Sequence, residues 1–230
     1  MTFADQIIQF NLGLHFEGVL PAGIRMMNPF RENPEIVPIM QQFYKKFYDD
    51  KQPRQLILGI NPGRLGAGAT GVPFTDTKRM AEKCGIDIPG FKTHEPSSVF
   101  IYDVIDAYGG LKKFYKQFYI GSVCPLGFTA LKAGGKEVNY NYYDSAALIK
   151  AADKFIIASL RQQLKWNISR EVCYLMGTGK NAVFFQALNA REKFFKEVVP
   201  LEHPRFVMQY KSKTKEDYID KYLAAFTAHH

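Results

Sequence analysis

The stretch LILGINPGRLGAGATGVPFTD, from Leu56 to Asp76, decides the fold class of this chain. Its first residues form a short apolar run, as expected for a strand that is buried on both faces of a parallel sheet. At Asn61 the composition changes to a glycine-rich loop that also contains Pro62 and Pro73. Glycines let backbone N–H groups approach a ligand closely, and prolines reduce the conformational freedom that a loop loses on ordering. The stretch therefore predicts a strand that delivers an asparagine into a preorganised pocket wall.

Further along the chain, apolar runs alternate with segments of helical spacing. Three more buried strands are predicted at 118–123, 171–177 and 197–203. The predicted helices are 98–117, split at Gly109–Gly110, 144–166, capped by Asp144 or Ser145, 180–195 and 215–226. Such alternation indicates a parallel sheet with helices on both faces. We therefore predict an α/β fold, a three-layer α/β/α sandwich with a central, mainly parallel sheet, formed by a single domain over 1–230.

The composition indicates an intracellular protein and is compatible with an anionic partner. Apolar residues make up 47% of the 230 residues, enough for a sizeable core. No apolar run is long enough to span a bilayer and the first residues lack the pattern of a signal peptide, so we expect a soluble, cytoplasmic protein with no membrane partner. We also expect a monomer. The formal net charge of +8 is compatible with a polyanion without identifying one. The three cysteines are far apart and are predicted to be buried free thiols, with no metal site.

The carboxyl ends of the predicted strands are the expected place for a ligand. In this chain they lie at 61–74, 122–128, 177–180 and 203–208. Phe74 offers a flat surface for a planar ligand, or packs in the core. His203 closes the last strand before Pro204, and this placement suits a catalytic residue as well as a packing residue.

The segment GTGKNA, Gly177–Ala182, leaves two interpretations open. It matches the phosphate-loop pattern poorly, because that pattern needs a longer spacing and a Ser or Thr where Asn181 stands. A dinucleotide-binding loop would lie early in the fold, with an acidic residue ending the next strand, where Glu202 nearly fits. The segment is therefore either the site of a nucleotide-binding enzyme, using Gly177–Lys180, or a turn that packs or contacts a DNA phosphate.

Three motifs in order resemble a known family. GINPG at 59–63, Gly66 and TGVPF at 70–74 resemble motif 1 of the single-strand-selective monofunctional (SMUG-type) branch of the uracil-DNA glycosylase superfamily, with the same spacing. VCPLGF at 123–128 is similar to the Asn-x-Cys-Pro-Leu segment of that family, and His203-Pro204-Arg205 to its His-Pro-Ser-Pro-Arg segment. The resemblance implies a monofunctional DNA glycosylase with DNA as its partner. It calls for no metal and no cofactor.

The resemblance also implies roles for single residues. Asn61 would hold the attacking water, and His203 would donate a hydrogen bond to the negative charge that develops on uracil O2. Phe74 would stack on the flipped base, and the backbone at Ile60 and Gly63 would line the base pocket.

The segment after His203 is implied to contact the DNA. Arg205 is a candidate for a phosphate or for the base stack, and Lys180 is a second candidate for a phosphate contact. The other candidates are apolar wedges and basic phosphate contacts, namely Phe206, Val207, Met208, Lys211 and Lys213.

Ser122 departs from the family pattern. The family reads uracil with an asparagine two positions before Cys-Pro-Leu, whose amide donates to O4 and accepts from N3–H at once, whereas one hydroxyl cannot span both atoms. Either backbone groups, a water, Asn139 or Asn141 replace the amide, or the pocket admits other deaminated bases, such as xanthine or hypoxanthine. A degenerate pocket would instead suit a non-catalytic module that binds DNA or senses damage.

Overall fold

The structure is a computed structural model that describes residues 1–132 and 134–228. The terminal His229 and His230, whose native origin the sequence leaves open, lie outside the described residues. The helices are α1 Phe3–Gly13, α2 Pro29–Glu32, α3 Ile36–Tyr48, α4 Ala67–Thr70, α5 Thr77–Glu82, α6 Pro96–Tyr108, α7 Leu111–Gln117, α8 Ala146–Gln163, α9 Lys180–Glu192, α10 Pro204–Tyr210 and α11 Lys215–Thr227. The strands are β1 Ile24–Met27, β2 Arg54–Gly59, β3 Phe118–Ser122, β4 Gly127–Leu131, β5 Glu137–Tyr140, β6 Ile168–Met176 and β7 Glu197–Leu201.

The predicted parallel sheet is present, with strand order β3-β2-β6-β7. Every residue of the central strand β2 is buried, as its apolar run predicts. The chain passes from β2 to one edge of the sheet and then back across it to β6 and β7. Because such crossovers are right-handed, reversing the direction places the connecting helices on opposite faces. The structure therefore confirms the α/β class, with a parallel sheet flanked by helices.

Individual residues set the boundaries of three of the predicted helices, α6, α7 and α8. Gly109 and Gly110, with φ of 114° and 91°, separate α6 from α7 as predicted. Ser145, rather than Asp144, caps α8, since its hydroxyl accepts a 3.2 Å hydrogen bond from the N–H of Leu148. The three cysteines are buried and free. No helix in the described part of the chain is long and apolar enough to cross a bilayer.

A second sheet was not predicted. It consists of β1, β4 and β5, paired antiparallel in the order β1-β4-β5. The last residue of β1, Met27, packs against Gly68 and Gly127. β5 leads into the segment 139–142, which reaches the carboxyl ends of the parallel strands.

Candidate active site

The carboxyl ends of β2, β3, β6 and β7 open into one cleft of about 570 Å³. Most of the residues that the sequence analysis assigned to the site line it together, while Met208, Lys211 and Lys213 are not among its lining residues. Val207 is fully buried, so its assignment as a DNA contact is corrected. The segment after His203 is the helix α10, which packs against α6 and turns Val207 into the core. The predicted residues that do line the cleft are Ile60, Asn61, Gly63, Phe74, Ser122, Lys180, His203, Arg205 and Phe206.

The side-chain amide of Asn61 is held on both sides by the end of β5 and the residues that follow it. Its Oδ1 accepts a 3.1 Å hydrogen bond from the N–H of Tyr142, and its Nδ2 donates to the carbonyl of Tyr140 at 3.3 Å. A backbone N–H can only donate and a carbonyl can only accept, so these partners define which amide atom is the oxygen. The oxygen keeps a second lone pair with which to accept a hydrogen bond from a water.

Tyr142 connects this amide to the glycine-rich turn after β6. Its hydroxyl donates a 2.6 Å hydrogen bond to Oδ1 of Asn181, whose Nδ2 donates to the carbonyl of Met176 at 3.0 Å. Tyr142 and Asn181 are both buried. Asn181 stands where a phosphate loop would have Ser or Thr, and here its amide supports the site. The sequence analysis did not identify this pair.

His203 is a neutral hydrogen-bond donor. It caps α10, and its Nδ1 accepts a 3.2 Å hydrogen bond from the N–H of Arg205. The ring proton is therefore on Nε2, which is left to donate. Burial, assisted by the positive charge of Arg205, lowers the pKa of His203 to about 4, so the ring carries no charge at neutral pH.

The ring of Phe74 lies beside that of His203, with 5.8 Å between the ring centroids. Phe74 has a left-handed backbone with φ of 51°, which costs a non-glycine residue on the order of 1–3 kcal/mol. The ring packs so closely on Gly59 that a Cβ there would lie 2.9 Å from its Cε2 atom. The partly buried ring thus packs on the core and also lines the cleft, where stacking on a planar ligand stays a prediction.

Ser122 ends β3 beside Gly59 on β2, and both Asn139 and Asn141 line the same cleft. The carboxamide oxygen of Asn139 accepts hydrogen bonds from the backbone N–H and Nε of Arg64, at 3.2 and 3.3 Å. Its NH₂ group remains able to donate into the cleft. The two asparagines are thus in the region where a replacement for the family amide is needed.

The GTGK segment lines this same cleft. Gly177 has a φ of 116°, which favours glycine, and Lys180 is exposed at the start of α9. Glu95 also lines the cleft, at the N-cap of α6, and the sequence analysis did not identify it. The only local signal was a Glu-Pro pair at the start of a helix.

Comparisons with known proteins agree with this geometry. The model of the uracil DNA glycosylase superfamily matches residues 45–227. The crystal structure of wild-type SMUG2 from Pedobacter heparinus is similar, with 58% sequence identity and a TM-score of 0.97 over 99% of this chain and 98% of that chain. A comparison with curated protein sequences found no match. The chain therefore belongs to the uracil-DNA glycosylase superfamily, in its SMUG-type branch, and is a DNA glycosylase.

Proposed function

We propose that the protein removes uracil, xanthine and hypoxanthine from DNA by hydrolysis and leaves an abasic site. The observation that carries the proposal is that Asn61, with its amide held by Tyr140 and Tyr142, shares one cleft with a neutral His203. This pair supplies a water-holding oxygen and a donor for the leaving base. Family membership and this pair argue against the non-catalytic module and the nucleotide-binding enzyme.

Asn61 acts on the water. The deoxyribose passes through an oxocarbenium-like state, which needs only a weak nucleophile, so the amide oxygen orients the water without deprotonating it. The C1′–N1 bond breaks with its electron pair on the base, the water oxygen bonds to C1′, and the water proton passes to solvent. No lysine acts as a nucleophile in this monofunctional route.

His203 acts on the base. Its Nε2–H donates to O2 of uracil, where negative charge develops as the bond breaks. Phe74 stacks on the flipped base, and the backbone at Ile60 and Gly63 forms the pocket wall. Because Ser122 is shorter than the family asparagine, the pocket is less restricted to uracil.

The DNA lies across the mouth of the cleft. Lys180 and Arg205 are exposed there and contact phosphates. Phe206, with 41% of its surface exposed, is the wedge that fills the space left by the flipped nucleotide. One copy of the chain carries all of these groups, and we propose that it acts as a monomer.

Base release with excess protein tests the proposal. End-labelled oligonucleotides with one uracil, xanthine or hypoxanthine, single-stranded and paired, are incubated and then cleaved with hot alkali. We expect alkali-dependent cleavage by the parent protein, and its loss in Asn61→Ala and His203→Ala. His15→Ala, which removes an exposed histidine outside the cleft lining, is the matched control.

Two results would contradict the proposal. Undiminished base release by both variants would show that Asn61 and His203 do not have the proposed catalytic roles. Trapping of a covalent protein–DNA adduct with borohydride would indicate a lysine nucleophile and exclude the monofunctional route.

Ser122→Asn tests the base specificity of the pocket, and we expect it to raise the ratio of uracil to xanthine excision.

A further inference from the structure

Glu95 is the only acidic side chain among the described residues that line the cleft. A carboxylate is unexpected in a site that receives a polyanion, because it repels the phosphates. Its position is nevertheless well defined, since Glu95 is the N-cap of α6 and its backbone N–H donates to Oδ2 of Asp76 at 2.7 Å. The side chain therefore occupies the cleft for a reason other than binding the DNA backbone.

The carboxyl group of Glu95 lies over the glycines of motif 1. It occupies the space that a side chain at Gly66 would need, and its Oε1 lies 3.7 Å from a Cβ built on Gly63. The Nδ2 atom of Asn139 lies 3.4 Å from that same Cβ position. Gly66 thus makes room for a carboxyl group, which lies beside Gly63, two residues after Asn61.

Glu95 has no side-chain hydrogen bond or ion pair within residues 1–132 and 134–228. Polar groups that are largely withdrawn from water normally have a partner, and one without a partner inside a cleft is a candidate for contact with a ligand. Asn61 and Asn181, by contrast, have their amide groups committed to the chain.

The surroundings of Glu95 favour its neutral form. Burial and the negative charge of Asp76 raise the pKa of Glu95 to about 7, while the positive charge of Arg205 on α10 opposes the shift. Among the other charged or titratable groups, His203 is neutral, and Arg79 and His94 face Asp76 at 3.1 and 3.8 Å. The same cleft is also lined by Lys180, Tyr143 and Tyr210. At neutral pH a substantial fraction of Glu95 is therefore a carboxylic acid that can donate a proton.

A proton donor can assist the release of a purine in a way that it cannot assist the release of uracil. Uracil leaves as an anion whose charge on O2 is stabilised by His203, whereas a purine has the ring acceptor N7, and protonation there lets it leave as a neutral molecule. We propose that Glu95 is the general acid that protonates N7 of a flipped deaminated purine during its excision. This inference rests on the proposed function.

The step balances without a further reactant. The proton of the Glu95 carboxyl moves to N7, and the C1′–N9 bond breaks with its electron pair on the purine. The water held by Asn61 adds to C1′ and loses its proton to the Glu95 carboxylate or to solvent. The products are a neutral purine and an abasic site, and the acid is restored.

The test is single-turnover excision of uracil, xanthine and hypoxanthine from about pH 6 to about pH 9, with the parent protein, Glu95→Gln and Glu95→Ala. For the parent we expect purine excision to fall about tenfold per pH unit well above the pKa of the acid. In Glu95→Gln we expect the ratio of purine to uracil excision to fall about 100-fold and to lose this pH dependence. Glu82→Gln, at an exposed glutamate on α5, is the matched control.

Each alternative result overturns the inference in a recognisable way. Equal losses for uracil and purines in Glu95→Gln would indicate a structural role, and the absence of any loss would show that no acid acts at this position. Excision of uracil but of neither purine by the parent protein would overturn the inference while leaving uracil removal in place. Failure to release any base would overturn the proposed function itself. Thermal unfolding of each variant separates these results from misfolding.

Discussion

The hydroxyl of Tyr142 donates a 2.6 Å hydrogen bond to Oδ1 of Asn181, and both residues are buried. The backbone N–H of the same Tyr142 holds Oδ1 of Asn61. The turn after β6 is thus connected to the proposed water-holding amide through a single residue. Tyr142 and Asn181 are therefore expected to be positioning residues for Asn61.

Tyr142→Phe should slow base release about tenfold, because it frees the backbone that orients Asn61. It also leaves Oδ1 of Asn181 buried without its partner, which costs about 1–3 kcal/mol in the free energy of unfolding. Single-turnover rates at saturating protein, DNA affinity and urea unfolding check these effects. A positioning role requires that the rate falls while DNA affinity holds. Tyr218→Phe, on α11 and outside the cleft lining, is the control.

The backbone of Phe74 predicts an unusual order of stabilities. Its φ of 51° suits glycine but strains every other residue. We expect Phe74→Gly to be about 1 kcal/mol more stable than Phe74→Ala, although glycine normally destabilises a chain relative to alanine. Both variants should lose base release, because neither can stack on the base. Thermal unfolding checks the order, and an alanine variant that is the more stable would contradict the strain.

The lowered pKa of His203 predicts a pH-dependent stability. The folded protein favours the neutral ring, with a pKa of about 4 against the ordinary value of 6.5. The stability from the neutral ring is complete above about pH 6.5 and is lost as the pH falls towards about 4, by on the order of 1–3 kcal/mol.

His203→Asn isolates this contribution, because asparagine also caps helices but does not titrate. Urea unfolding of both proteins between about pH 4 and about pH 7 gives the difference. Parallel stability curves would contradict the buried neutral ring.

The absence of a side chain at Gly127 is expected to leave space for the backbone of the motif 1 loop. A Cβ at this position would lie 2.5 Å from the carbonyl oxygen of Pro62, the residue that follows Asn61. Gly127→Ala must therefore displace backbone beside the site, and we expect base release to fall about tenfold and stability to fall by about 1–3 kcal/mol. Gly13→Ala, where a Cβ would have no neighbour within 4 Å, is the control and should retain activity. Retained activity in both would indicate that the Pro62 backbone moves freely.

Asn61→Asp is expected to be less active at neutral pH, not more. An ionised carboxylate would face the carbonyl of Tyr140, to which the amide now donates at 3.3 Å. Repulsion between the two oxygens raises the pKa of the new carboxyl, and its protonated form can donate as the amide does. Base release by the variant, relative to the parent, should therefore recover as the pH falls from about 8 to about 5. A constant ratio over this range would contradict the Tyr140 contact.

The sequence by itself determined the four strands of the parallel sheet and the region of the site. Strand β2 and the loop from Asn61 to Phe74 could be located because burial on both faces leaves an apolar run, and because close approach requires glycines at specific positions. The helix break at Gly109–Gly110 was equally local, since it depends on the backbone freedom of two residues.

Only the tertiary structure decided what surrounds the site residues. The strands of the second sheet are four or five residues long, so β1 and β5, with no fully buried residue, show no clear period in the sequence. Val207 is adjacent to exposed Phe206 but buried, because helix α10 rather than an extended loop follows His203. Tyr142 owes its proposed role to hydrogen bonds with Asn61 and Asn181, which are distant in the sequence. Glu95 owes its proposed role to its burial and to the nearby charge of Asp76. Such contacts depend on packing between elements, which no local pattern of residues records.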